Sequence, residues 1–267
     1  MERGAGRPLY PVTRLGKLFG IKTVLFGALD SNFEPGKELI SGSERNRKFY
    51  QKGIPLVSYI VMQNDYQKQT LKDNYGREAL VMQNIWRDVP VEGKAEPSDV
   101  VWVANFRPHK RPEWLFTAAQ ALPEAKFTMV GGPDSKAVEF YEDIRQQANS
   151  ITNMAFLGSR PFMETCDIIS QSKVLVCSSK LEGFPNTFLQ AWSYGLPVVS
   201  TVDPSGIIVK NNLGIVVETE EELAAAIKHL LEDEKEYAEK CESVKAFFEK
   251  NYLSSDNYTR LMEYINK

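Results

Sequence analysis

An alternation of patterns constrains this chain most. Short apolar, β-branched runs recur at 22–29, 58–63, 79–84, 100–105, 126–130, 154–157, 173–177, 197–201 and 215–217. Between most of them lie segments with helical spacing, at 44–52, 66–75, 112–121, 137–147, 162–171, 187–194 and 220–232. Strands that alternate with helices predict βαβ units, and hence parallel sheets and an α/β fold. The run 174–177 is apolar without alternation, as expected of a strand covered on both faces.

The stretch 87–99 interrupts this rhythm with two prolines, a glycine and several charges. It reads as a linker. The expected organisation is a first α/β part over 1–90, a linker over 91–98, a second α/β part over 99–253 and a closing helix over 254–267. The first part holds three strand patterns and two helix patterns. The residues before Lys22 are rich in Gly, Pro and Arg and give no element. Three parallel strands leave an apolar edge open to pairing. The expectation is that a second chain or a second copy covers it, or that the chain is the tail of a longer one.

Composition excludes several classes. With 43% hydrophobic and 25% charged residues, the 267-residue chain is neither disordered, collagenous nor a coiled coil. A net charge of −3 argues against bulk nucleic-acid binding. No apolar run approaches the ~20 residues of a membrane span. Cys166, Cys177 and Cys241 show no paired spacing, which fits a reducing cytosol. With only His109 and His229, a histidine-rich metal site is out. No Asp-x-Asp pair is present to hold a divalent ion, so no metal is expected.

Two segments carry chemistry. After the strand 174–177, the loop Lys180-Leu181-Glu182-Gly183-Phe184-Pro185 leads into a helix starting near Asn186-Thr187, which Gly195 stops. A helix start offers unpaired N–H groups and a positive dipole end, which suit phosphate oxygens. Gly183 permits close approach of backbone to a ligand. Glu182 can accept from sugar hydroxyls, and Gln190 can reach a ribose. Taken alone, Glu182-Gly183 is also a plain turn and Asn186 an ordinary N-cap. The second segment is Val103-Ala104-Asn105-Phe106-Arg107-Pro108-His109-Lys110-Arg111, a strand running into a basic loop and a helix with Pro112 near its first turn. Arg107, Lys110 and Arg111 could neutralise a diphosphate, or simply face water.

The whole string from Ser178 to Val199 resembles the donor-site signature of the retaining GT-B glycosyltransferases, family four. That signature has a first acid, matched by Glu182, and a second acid eight residues on, where this chain has Gln190. In the basic segment Lys110 matches the family's lysine. Asn105 stands at its arginine position, with Arg107 two residues further on. Gly131-Gly132 ends a strand at the sheet's ligand-binding edge. Gly158-Ser159-Arg160-Pro161 is similar to the loop beside the nucleobase, and the stretch 201–208 with Gly214 follows the family pattern. The resemblance is specific over 98–233 and looser before Pro97. It implies a GT-B fold, with the second Rossmann-like domain complete and the first only partly present.

The resemblance implies sugar transfer from a nucleotide-diphosphate sugar to a sugar or lipid-linked acceptor. Lys110, Arg107 and Glu182 would be the catalytic residues. Asn105, Gly131, Gly132, Gly158, Arg160, Gly183, Phe184, Pro185, Asn186, Thr187 and Gln190 would line the donor site. No cofactor beyond the donor is implied. The expected setting is cytoplasmic, with peripheral membrane contact as an option. Two other readings stay open. One is a non-catalytic nucleotide-sugar-binding module or half of a split enzyme. The other is a different activity on the same fold, such as an epimerase or phosphorylase.

Overall fold

The alternation folds into two all-parallel sheets, one of four strands and one of six. The computed structural model describes residues 2–6, 8–37, 44–82, 86, 89–253 and 256–266. The chain forms two compact units. The first holds Met1–Ile85, Glu182–Phe184 and Ser255–Lys267, and the second holds Trp86–Leu181 and Pro185–Ser254.

The first unit contains β1 (Glu2–Arg3), α1 (Leu9–Leu18), β2 (Val24–Phe26), α2 (Glu44–Gly53), β3 (Tyr59–Met62), α3 (Asp65–Tyr75) and β4 (Leu80–Val81), with strand order β1-β2-β3-β4. It therefore has a fourth strand and a further helix where the sequence suggested none. Pro8, Pro11, Gly16 and Gly20 hide α1 from a composition-based reading. Pro8 occupies the N-cap, and Pro11 falls in the first turn, where a missing N–H costs no helical bond. Leu9, Thr13 and Gly16 form its buried stripe. A Cβ on Gly53 would stand 2.8 Å from the Leu9 side chain, so α1 and α2 need a glycine where they meet. Leu25, Phe33, Tyr50, Ile54, Ile60, Met62 and Leu71 complete this core. The strand expected over 79–84 is seen at Leu80–Val81, and its positions 83 and 84 lie outside the described residues.

The second unit runs through β5 (Ser98–Val103), α4 (Trp114–Ala121), β6 (Phe127–Val130), α5 (Val138–Asn149), β7 (Met154–Gly158), α6 (Phe162–Ser170), β8 (Ser172–Cys177), α7 (Asn186–Ser193), β9 (Val198–Ser200), α8 (Ile207–Lys210), β10 (Gly214–Val216), α9 (Glu220–Glu232) and α10 (Glu234–Phe248). The last helix, α11 (Asp256–Ile265), groups with the first unit. Strand order is β10-β9-β8-β5-β6-β7. The chain builds outward from β5 to β7, returns beside β5 at β8, and builds outward again. The reversal between β5 and β8 is a topological switch point, where open α/β sheets leave a crevice at the carboxyl ends of the strands.

The core of the second unit explains its regularity. Val100, Trp102, Val174, Val176 and Val199 are buried between helices, with Leu115, Ala118 and Ala119 of α4 and Leu223 and Ile227 of α9 packed against them. Before β5, the segment around Gly93 carries no regular structure among the described residues; positions 87 and 88 of the expected linker stretch lie outside them. The Asp167 carboxylate holds that segment through the N–H groups of Gly93 at 2.6 Å and of Lys94 and Ala95 at 2.9 Å.

Candidate functional site

Four loops leave the carboxyl ends of β5, β6, β7 and β8, and they hold nearly every residue the sequence singled out. Backbone bonds continue the sheet beyond its strands and fix three of them. Ala104 N–H donates to the Val130 carbonyl at 3.1 Å, Phe106 N–H to Gly132 at 3.0 Å and Gly131 N–H to Gly158 at 2.9 Å. Asn105, Gly131, Gly132 and Gly158 thus share one edge. Gly131 has φ +156°, and a Cβ there would stand 1.8 Å from the Ala104 carbonyl oxygen. Only glycine lets these two loops come so close. Phe106 is fully buried and packs its ring on Trp102, Tyr141 and Phe156, with centroids 4.9, 5.2 and 5.1 Å away. This anchor leaves Asn105 and Arg107 on either side exposed to solvent.

The basic loop makes a short 3-10 turn, Pro108–Lys110, and α4 begins only at Trp114, so Pro112 precedes the helix. The three cations of this loop have different surroundings. Arg107 pairs with Asp134, at 2.8 Å from Nε and 2.6 Å from a terminal nitrogen. The Lys136 N–H and then Arg107 hold the Asp134 carboxyl below the usual carboxylate range. Arg111 takes a left-handed conformation, φ 47°, and donates Nε to the Ser178 carbonyl at 2.6 Å. Its guanidinium lies over the Trp114 ring, 3.8 Å from the centroid. These two contacts give Arg111 a structural role in fixing the basic loop. Lys110 is half-buried between these two arginines.

Ser178 joins the basic loop to β8 across the switch point. It is fully buried, and its Oγ accepts from Trp102 Nε1 at 3.0 Å. The same hydroxyl lies 2.8 Å from the carbonyls of both Lys110 and Arg111, which share its one proton. The Lys180 N–H donates to the His109 carbonyl at 2.7 Å. Thr201 Oγ1, just past β9, donates to the Ser179 carbonyl at 2.7 Å. The sequence reading placed Ser178 and Thr201 inside its motifs without giving them a role, and it did not single out Asp134. For Ser178 the available signal is a small hydroxyl residue placed directly after an all-apolar strand.

The β8–α7 loop ends in the expected helix start. The N-cap is Pro185 and not Asn186, which becomes the first helical residue; no side chain caps the helix. As at any helix start, the first N–H groups of α7 have no carbonyl one turn earlier in the helix to donate to. Asn186 is exposed, Thr187 half-buried and Gln190 buried. Glu182, Gly183 and Phe184 group with the first unit, while Pro185 and α7 belong to the second. Arg160 is exposed after β7, with Glu164 one turn into α6 at 3.9 Å.

Glu113 carries the other unusual charge. Its Oε2 is buried without a hydrogen-bond partner. Burial pushes its carboxyl up, helped by Glu220 and opposed by its own backbone N–H and by Arg111. Outside this edge, His229, Asp233 and Glu236 have ligand-type atoms within 4.8 Å of one another. Their roles are already filled: Asp233 caps α10 through the Glu236 N–H, and Glu236 pairs with His229 and Lys240. Among the described residues no helix is long and apolar enough to cross a membrane.

Solved structures share the fold of this chain. HepE of Anabaena, solved with UDP, superposes with a TM-score of 0.78 at 17% identity, over 96% of this chain and 75% of its own. Sucrose-phosphate synthase of Thermosynechococcus elongatus gives 0.74 at 17% identity, over 95% of this chain and 71% of its own. TarM of S. aureus gives 0.74 at 16% identity, over 95% of this chain and 53% of its own. The fold is the α/β GT-B type shared by these glycosyltransferases. No curated protein sequence is significantly similar to the chain. Residues 97–233, just over half of the sequence, match the model of the glycosyl transferases group 1, and the chain belongs to that family.

Proposed function

We propose that the carboxyl edge of the six-stranded sheet binds a nucleoside-diphosphate sugar and that the chain transfers the sugar, with retention, to a hydroxyl acceptor. The observation that supports this best is the convergence at the switch point of a half-buried lysine, three glycines and the start of α7. In the reaction the bond from the anomeric carbon to the diphosphate oxygen breaks and a bond to the acceptor oxygen forms. The acceptor proton leaves with the diphosphate. Lys110, Arg107 and the first N–H groups of α7 at Asn186 and Thr187 stabilise the charge that grows on the leaving group, an effect of preorganised donors. Glu182 receives hydroxyls of the sugar and Gln190 those of the ribose. Gly131, Gly132 and Gly158 let backbone approach the ligand, Arg160 lies beside the base, and Gly183, Phe184 and Pro185 shape the loop over the diphosphate. HepE was also solved with UDP-glucose, so a uridine donor is the first to test.

Arg107 already shares its charge with Asp134, so Lys110 should matter more. Lys110→Ala should weaken UDP binding by ~1.5–3 kcal/mol, the size of a charged hydrogen bond. Arg107→Ala should cost less than half of that. Calorimetry decides: equal affinity for Lys110→Ala and the unaltered protein would remove the assignment. A second reading, binding without transfer, draws support from Asn105 and Gln190, which replace an arginine and an acid of the resembled signature. Radiolabelled transfer from UDP-sugars separates the two, since a binding module gives nucleotide affinity and no product.

A further inference from the structure

The first unit carries a surface unrelated to the donor edge. In α1 one stripe, Leu9, Thr13 and Gly16, is buried in the core. The opposite side should then be polar, as on an ordinary surface helix. Instead it carries large apolar side chains. Leu15 is 54% exposed and Leu18 74%, and just beyond the helix Phe19 is 69% and Ile21 64% exposed. Scattered exposed leucines need no explanation, but four large apolar side chains exposed within seven positions are a concentration that does.

The charge around the patch is one-sided. From residue 3 to residue 29 the sequence holds five cations, Arg3, Arg7, Arg14, Lys17 and Lys22, and no acid, in a chain whose net charge is −3. Arg14 and Lys17 interleave with the apolar residues of α1, and both are exposed. Lys52 at the end of α2 joins them, lining a shallow groove with Tyr10, Arg14, Lys17, Leu18 and Leu56. Lys22 is engaged elsewhere, donating to the Ile265 carbonyl at 3.1 Å. Exposed Leu and Phe side chains flanked by Lys and Arg, without acids, form the signature of a helix that lies in a bilayer interface. The apolar side chains enter the acyl boundary, and the long cationic ones reach the headgroups. A protein partner could cover apolar area, but the complete absence of acids over 3–29 singles out a densely anionic surface.

We propose that α1 and its C-terminal turn dock this protein on an anionic lipid bilayer, with Leu15, Leu18, Phe19 and Ile21 inserted and Arg14, Lys17 and Lys52 on the headgroups. The proposal does not depend on the donor-site reading. The test is co-sedimentation with vesicles of mixed phosphatidylglycerol and phosphatidylcholine, beside vesicles of phosphatidylcholine alone. The protein should partition to the anionic vesicles and be released by salt. Lys17→Gln with Lys52→Gln should lower the partition about fivefold for each charge removed. Leu18→Ser with Phe19→Ser should lower it at least tenfold, since both side chains are lost from the acyl boundary. These positions are exposed, and a thermal melt and UDP titration of each variant should match the unaltered protein. Equal partition to neutral vesicles, no partition to either, or variants that bind as before would overturn the proposal. So would light scattering that shows a dimer which Leu18→Ser with Phe19→Ser dissociates, because a second copy would then be the occupant.

Discussion

The carboxyl ends of the two sheets are finished in different ways. In the first unit side-chain amides occupy that edge. Asn32 Oδ1 accepts from the N–H groups of Ala28 and Leu29, at 3.1 and 2.9 Å. Gln67 Oε1 accepts from the Gln63 N–H at 3.0 Å, and Asn64 Oδ1 from the Gln67 N–H at 2.8 Å. Asp30 receives both the Asn64 and the Gln67 amide groups, at 3.0 and 2.9 Å. Asn32, Asn64 and Gln67 are all buried. In the second unit the matching edge is built from glycines, sheet-like backbone bonds and a serine that holds two carbonyls, with cations above them. One edge spends its N–H groups on its own side chains. The other holds its loops from behind and leaves positive charge and a helix start at the front. Ligand-binding potential in such sheets therefore depends on which groups brace the loops, and not on topology alone.

Glycine substitutions should break this contrast most sharply. Gly131→Ala places a Cβ 1.8 Å from the Ala104 carbonyl oxygen, which the backbone must relieve by moving a loop that the sheet bonds hold. Adding the strain of its φ, the loss should be about 3 kcal/mol or more by urea unfolding. Gly20→Ala, in the first unit, has φ +66° and meets nothing within 4 Å. Its cost should be only that of the left-handed conformation, about 1 kcal/mol. Equal losses at the two sites would show that the close approach after β5 and β6 can relax.

The two bracing schemes predict the next effect. Ser178→Ala leaves the Trp102 indole N–H buried without an acceptor and frees the carbonyls of Lys110 and Arg111. The expected loss is about 2 kcal/mol of stability, the cost of orphaned buried polar groups. Asn32→Ala orphans two N–H groups in the first unit and should cost a similar amount. UDP affinity separates them. Ser178→Ala should weaken it, because Lys110 loses its tether, whereas Asn32→Ala should leave it within error. A Ser178→Ala variant with unchanged affinity would mean that the basic loop is set by Arg111 and Phe106 alone.

The second unit was far more legible in the sequence than the first. Its strands β5 to β8 run four to six residues, long enough to read as apolar runs, and α9 spans Glu220–Glu232 as its periodicity predicts. In the first unit β1 and β4 have two residues each, too short for any periodic pattern. The α1 helix was obscured because Pro8, Pro11, Gly16 and Gly20 fall in or beside its ten residues and read as turn residues, which masks a helical pattern of apolar positions. At the candidate site the residue types were legible, since glycines, cations and a loop before a helix stand out in one dimension. Their partners were not. That Arg107 faces Asp134 and Arg111 faces Ser178 depends on contacts 27 and 67 positions apart, which nothing local encodes.

The smallest expected effect concerns acidity within the second unit, where two carboxyls are shifted in opposite directions. Burial pushes Asp167 up, but the N–H groups of Gly93, Lys94, Ala95 and Glu92 outweigh it and hold the carboxyl below its ordinary value. A depressed carboxyl stabilises the fold above its unfolded pKa, and that contribution disappears as pH falls through the folded pKa. Glu113 is raised, chiefly by burial, so its ionisation opposes folding, and the penalty grows as pH rises through its folded pKa. Near neutrality Asp167→Asn should therefore cost about 1 kcal/mol, a charged hydrogen-bond contribution discounted for partial solvation. Below about pH 4, where the carboxyl of the unfolded chain is protonated, that difference should shrink towards zero. Glu113→Gln should be neutral or slightly stabilising near neutrality, by up to about 1 kcal/mol, and silent in acid. Urea unfolding of the three proteins at both acidities measures each sign. A loss for Asp167→Asn that persists undiminished in acid would show that the segment around Gly93 is held by the shape of the side chain and not by its charge.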